Sequence, residues 1–134
     1  MTARAVAIRL KIPDNEAYTA LTALRRLGVA VERLERAAIL VFAESSEDPA
    51  LRVMRSETLF NPNKHVLQTL EGDGPRAGEA WIEELGTVDS AADVRRYVGW
   101  RLLDANGEPV AADVVRSAAE RLLCNPAIER AIVR

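Results

Sequence analysis

The stretch from Val6 to Gly28 constrains the fold most, because it dictates a strand, a stop and a helix in that order. Val6, Ile8, Leu10 and Ile12 alternate with Arg9 and Lys11, the two-residue period of a strand buried on one face. Pro13 has no donor to offer a ladder, and Asp14 or Asn15 supplies an acceptor for the first free N–H groups of a helix. Ala17, Ala20, Leu21, Leu24 and Leu27 then recur at helical spacing, and Gly28 stands where a left-handed C-cap is wanted. An amphipathic helix directly after a half-buried strand packs back onto a sheet.

The next residues extend the pattern. Val29 and Val31 predict a second short strand, with the charged run from Glu32 to Arg36 as its exposed end or a hairpin tip. The apolar run Ala37 to Ala43 predicts a central strand. Asp48-Pro49 is a helix start, an N-cap acceptor followed by proline at the first helical position. Asn61-Pro62-Asn63 ends that helix, and His65 to Leu70 predicts another strand. Residues 1–70 thus read as a β-α-β-β-α-β unit of the α+β class, an antiparallel sheet with its helices on one face.

Residues 71–78, rich in glycine and polar groups, read as a linker. Residues 79–134 read as a shortened second β-α-β unit sharing the core. Ala80 to Leu85 fits either a helix face or a strand, and Asp89-Ser90 predicts the cap of a short helix running to Arg96. Tyr97 to Leu103 predicts a strand, Asp104 to Gly107 a turn, Val110 to Leu123 a helix, and Ile128 to Val133 a closing strand. The halves echo each other: both end in a helix, an Asn-Pro stop and a strand, at Asn61-Pro62 and Asn125-Pro126. Asparagine tolerates the left-handed terminal conformation, and the residue before proline is driven out of the helical region.

Composition excludes several classes. Basic residues number 18 and acidic residues 20, a net charge of -2, so the strong positive excess of a free-standing nucleic-acid binder is missing. No apolar run approaches the roughly 20 residues that cross a membrane as a helix. Cys124 is the only cysteine, which leaves no intramolecular disulfide, and with one histidine no four-ligand structural zinc site. Met1 to Ala7 lacks a signal-peptide pattern, so a cytoplasmic location is expected.

Two segments carry a resemblance. Arg121-Leu122-Leu123-Cys124-Asn125-Pro126-Ala127-Ile128-Glu129 resembles the end of PurS, the small subunit of phosphoribosylformylglycinamidine synthase. Leu103-Asp104-Ala105-Asn106-Gly107-Glu108-Pro109-Val110 is similar to that family's Leu-Asp-Pro-Gln-Gly turn, with Ala105 and Asn106 in place of Pro and Gln. The first half is similar in its element order and its Asn61-Pro62 ending. The chain is too long for one copy, and the resemblance implies one complete unit plus a shortened second one, either a fused or duplicated pseudo-dimer or a divergent relative. It further implies a non-catalytic bridging subunit in purine biosynthesis, a homo-oligomer that docks glutaminase and large synthase subunits of an ATP-dependent amidoligase complex and needs no cofactor of its own. A different class, an ACT-like small-molecule-sensing regulatory domain, is the alternative.

Individual residues point more to packing and interfaces than to catalysis, and no catalytic, cofactor-binding or metal residue is assigned. His65 at a strand entrance has the makings of a general base, but a surface or strand-edge histidine is the better account of it. Cys124 ends an apolar helix, where the dipole disfavours a thiolate. Glu79, Glu83, Glu84 and Asp89 lack an oxygen-rich calcium loop, and Gly72, Gly74 and Gly78 lack the flanking strand and helix of a phosphate cradle. Arginine supplies 16 of the 18 basic residues. Arg95, Arg96 and Arg101 around Tyr97 and Trp100, together with Trp81, form the candidate partner interface.

Overall fold

The computed structural model describes residues 5–42, 48–56, 60–72, 74–85 and 94–134. Six strands form one antiparallel sheet: β1 (Ala5–Leu10), β2 (Arg33–Phe42), β3 (His65–Leu70), β4 (Glu79–Glu84), β5 (Val94–Leu103) and β6 (Glu129–Val133). Their spatial order is β3-β1-β2-β5-β4-β6. Among the described residues three helices accompany them: α1 (Asn15–Arg26), α2 (Pro49–Met54) and α3 (Ala112–Ala118), the last continuing into a π-helical turn, Ala119–Leu123. Each half contributes three strands with its first strand in the middle, and the halves meet along β2 and β5, paired from Arg33↔Leu103 to Phe42↔Val94.

Local chemistry explains the elements. The Asp14 carboxylate accepts from the N–H groups of Glu16 and Ala17 and so caps α1. At the other end Gly28 takes φ +83°. Its N–H reaches the Arg25 carbonyl while that of Val29 reaches Leu24, a Schellman closure that glycine permits. Asp48 caps α2 through Ala50 N–H, with Pro49 in the first turn. Leu24 is fully buried in a core formed with Val31, Ala80, Ile82, Leu102, Val115 and Leu123, which binds α1 and α3 to the same face of the sheet. Burying such a leucine is worth about 2 kcal/mol. Val53 of α2 packs on that face too, against Val6, Leu40, Phe42 and Val94.

The structure differs from the sequence reading in several elements. β2 is one ten-residue strand beginning at Arg33, so the first half runs β-α-β-α-β. Val29 and Val31 are buried core residues ahead of it. Glu35 and Arg36 sit in a strand with partners from elsewhere, Arg9 for Glu35 and Asp14 for Arg36, while Glu32 precedes the strand. Ala80 to Leu85 resolves as strand β4, and Val94 to Arg96 opens β5 instead of ending a helix; residues 89–93 lie outside the described residues. The second half therefore presents β4, β5, α3 and β6 in order. In the segment read as a linker, the carbonyl of Gly78 accepts from Leu102 N–H at 2.7 Å. A Cβ on Gly78 would lie 2.7 Å from that of Pro109. No helix among the described residues is long and apolar enough to cross a membrane.

Asp14 also receives the Arg36 guanidinium at 2.8 Å. Burial alone would raise this carboxyl, but the Arg36 hydrogen bond and charge and the capping N–H groups outweigh it and hold the group below its ordinary value. The stabilisation is complete above the unfolded carboxyl's titration near about pH 4 and fades as pH falls through the lower folded value. Asp14→Ala is expected to lower unfolding free energy by about 1 kcal/mol at neutral pH. It should also flatten the acid limb of stability against pH, both read from urea unfolding.

Candidate functional site

Strand alternation divides the sheet into a helical face and a helix-free face. On the latter, β1 presents Ala5, Ala7 and Arg9, and β2 presents Glu35, Ala37, Ile39 and Val41. β5 adds Tyr97, Gly99 and Arg101, and β4 adds Glu79, Trp81 and Glu83. The middle of this face is closed within the chain: Ile39 is 0% and Trp81 1% exposed. Trp81 and Tyr97 stack as a tilted pair with centroids 5.3 Å apart. Gly99 is required beneath them, since a Cβ there would come within 2.8 Å of Ile39 Cγ1 and 3.5 Å of Trp81 Cδ1.

Charge is concentrated at one end of the face. Register sets Glu35 opposite Arg101 and Arg101 opposite Glu79. Arg9 Nη1 lies 3.7 Å from Glu35 Oε2. Glu79, only 2% exposed, accepts from Trp81 Nε1 at 2.9 Å and from the Arg76 N–H at 3.0 Å, and binds Arg76 Nη2 at 2.8 Å. Such burial of a carboxylate is tolerated because its oxygens are saturated with donors. Arg9, Glu35, Arg36, Gln68, Arg76, Glu79 and Arg101 line a cleft of about 170 Å³ that spans both halves of the chain. The Nε atoms of Arg9 and Arg101 are buried with no hydrogen-bond partner among the described residues.

The opposite end is a smaller cluster. Glu83 binds Arg95 at 3.1 Å and Arg130 at 2.7 Å. Burial pushes the Tyr97 phenol up, and the charge and hydrogen bond of Glu83 add to the shift. A second cleft, of about 360 Å³, lies on the helical face over Ile8, Ala38 and Val98, beside Leu10, Asp14, Arg36 and His65. The helical layer leaves its floor open: Val98, in a central strand, is 39% exposed.

The six residues of the expected interface separate across these features. Trp81, Arg95, Tyr97 and Arg101 share the helix-free face, whereas Arg96 and Trp100 lie on the helical face. Trp81 and Tyr97 are buried inside the chain, Trp100 and Arg101 are half-buried, and Arg95 and Arg96 are exposed. Trp100 packs against the α1–α3 core with the Arg36 guanidinium 6.0 Å from its ring centroid. His65 Nδ1 accepts from Asn61 N–H at 3.0 Å, which commits that nitrogen to a turn. Burial pushes the Cys124 thiol up, and Glu129 adds to this, so the thiolate is disfavoured. Among the described residues no cluster of three metal-ligating side chains occurs.

Arg9, Glu35, Gln68 and Arg76 are site residues that the sequence pattern did not single out, and Glu79 enters that pattern only as part of an acidic cation set. The available signal was charge at inward-facing strand positions: Arg9 in β1, Glu35 in β2, and Glu79 two residues before a tryptophan. The chain matches no protein-family model and none of the curated proteins.

Removing the buried carboxylate orphans the Trp81 indole N–H and the Arg76 guanidinium. Glu79→Ala is expected to cost about 2 kcal/mol and to shift tryptophan emission to the red, whereas Glu79→Gln keeps an acceptor for the indole and costs less. Denaturant unfolding followed by fluorescence checks both.

Proposed function

We propose that the protein is a non-catalytic assembly subunit resembling PurS, with two family-like units fused in one chain, which bridges a glutaminase and an ATP-dependent amidation subunit. The observation that carries this reading is the identical turn at the end of each half. At Asn61 the carbonyl accepts from the N–H groups of Lys64 and His65, and at Asn125 from those of Ile128 and Glu129. Asn61 Oδ1 accepts from Asn63 N–H, and Asn125 Oδ1 from Ala127 N–H. Each asparagine N–H in turn donates to the side chain four residues on, His65 Nδ1 or Glu129 Oε1. The same strand order in each half adds to the case for two copies of one unit, joined as the subunits of a dimer would be.

Bridging by a non-catalytic subunit suits this arrangement. The outer strands β3 and β6 offer backbone donors and acceptors at both edges of the sheet, and exposed strand edges pair readily with other chains. A second reading, an ACT-like sensing domain, is favoured by the charged cleft between the halves, since ligand sites gather at such junctions.

Size-exclusion chromatography with the glutaminase and large synthase subunits, in glutamine, nucleotide and magnesium, tests the bridging role. A ternary species that forms only when this protein is added is the expected result. Failure of the three to co-elute under those conditions overturns the proposal.

A further inference from the structure

We infer that the cleft between the two halves is a binding site for a small oxyanion, a carboxylate or phosphate group held by Arg101 and Arg9. This is independent of the bridging role and names the ligand class on which the sensing reading rests. The argument begins with charge. Arg9 is paired with Glu35 and Arg76 with Glu79, while the Arg101 side chain makes no hydrogen bond or ion pair with a described residue. Four arginines and two glutamates line the cleft. Arg36 is taken up by Asp14 and Glu16, which leaves Arg9, Arg76 and Arg101 against Glu35 and Glu79 and one positive charge uncompensated among the described residues.

Hydrogen bonding points the same way. A guanidinium has five donors and no acceptor capacity, and it suits an oxygen pair bidentately. Yet Arg9 Nε and Arg101 Nε are both shut away from solvent with no partner among the described residues. Buried unsatisfied donors are uncommon in folded proteins. Two of them on arginines that line one cleft are accounted for if the native occupant is an acceptor, toward which small side-chain rotations turn Nε and Nη together. Gln68 adds a neutral donor at the rim.

Size and surroundings restrict the class further. At about 170 Å³ the cleft is smaller than the roughly 300 Å³ at which pockets for drug-sized ligands begin, so it admits a compact acid or a single phosphate group. Glu35 and Glu79 repel additional negative charge, which favours a ligand with little charge beyond the one Arg101 neutralises. The cleft spans β1 and β2 of one half and β4 and β5 of the other, so an occupant contacts both.

Calorimetric titration of the full chain at low ionic strength, with succinate and inorganic phosphate as probes and chloride at matched ionic strength as control, tests the site. Saturable one-site binding of at least one probe is expected, and the stronger of the two identifies the ligand as carboxylate or phosphate. Arg101→Gln should weaken it about tenfold, the loss of one charge-assisted contact. Arg95→Gln, at the exposed far end of the same face, should change it by less than about twofold because of screening. Arg9→Gln provides a second variant if Arg101→Gln fails to fold by circular dichroism. Absence of saturable binding by both probes, or equal weakening by Arg95→Gln, overturns the inference.

Discussion

The antiparallel ladder between β2 and β5 is the contact on which the rest of the molecule depends. It joins the two halves along ten residues of each strand, making six strands continuous where each half alone has three. Two- and three-stranded pieces are marginal in water without further packing, and the helical core draws on both halves: Leu24 and Val31 from the first pack with Ala80, Leu102 and Val115 from the second. The ladder also sets the register that aligns Glu35 with Arg101, and so creates the charged cleft.

Steric economy at the centre of the sheet follows from that ladder. Gly99 lies opposite Ala37 in β2 and opposite Trp81 in β4, and the absence of a side chain there lets Ile39 and the indole approach. Ala5, Ala7 and Ala37 keep the neighbouring surface low. Glu79 then fixes the indole through Nε1 and is itself held by Arg76. A buried aromatic is thereby coupled to the arginines of the cleft. The two faces have opposite characters: the one without helices is closed at its middle, and the one with helices is open over Ala38 and Val98.

Much of this was legible in the chain because it is written in local chemistry. The alternation of β1, the Asp14 cap, the Gly28 closure, the Asp48-Pro49 start and both Asn-Pro turns each follow from residues within one turn of each other. The α+β class with an antiparallel sheet follows from them. What was not legible depends on partners distant in sequence. Charges at 32–36 resemble a hairpin tip until Asp14 and Glu16 arrive to meet Arg36, and only then does β2 become one strand. Trp81 resembles an interface residue until Gly99 makes room for it. The cleft is of the same kind, since Arg9, Glu35, Arg76 and Arg101 share no spacing that a single helix or strand would reveal.

The central ladder has a kinetic side. Its partners are remote in the chain, Phe42 meeting Val94 and Arg33 meeting Leu103, so closing it demands a large loss of loop entropy before any reward. A molecule with one half formed displays β2 or β5 as a long unpaired border, and that border accepts the complementary half of a neighbour as readily as its own. Exchange of halves between two molecules is therefore the misassembly this topology invites, and at high concentration during synthesis or refolding it competes with closure of the single chain.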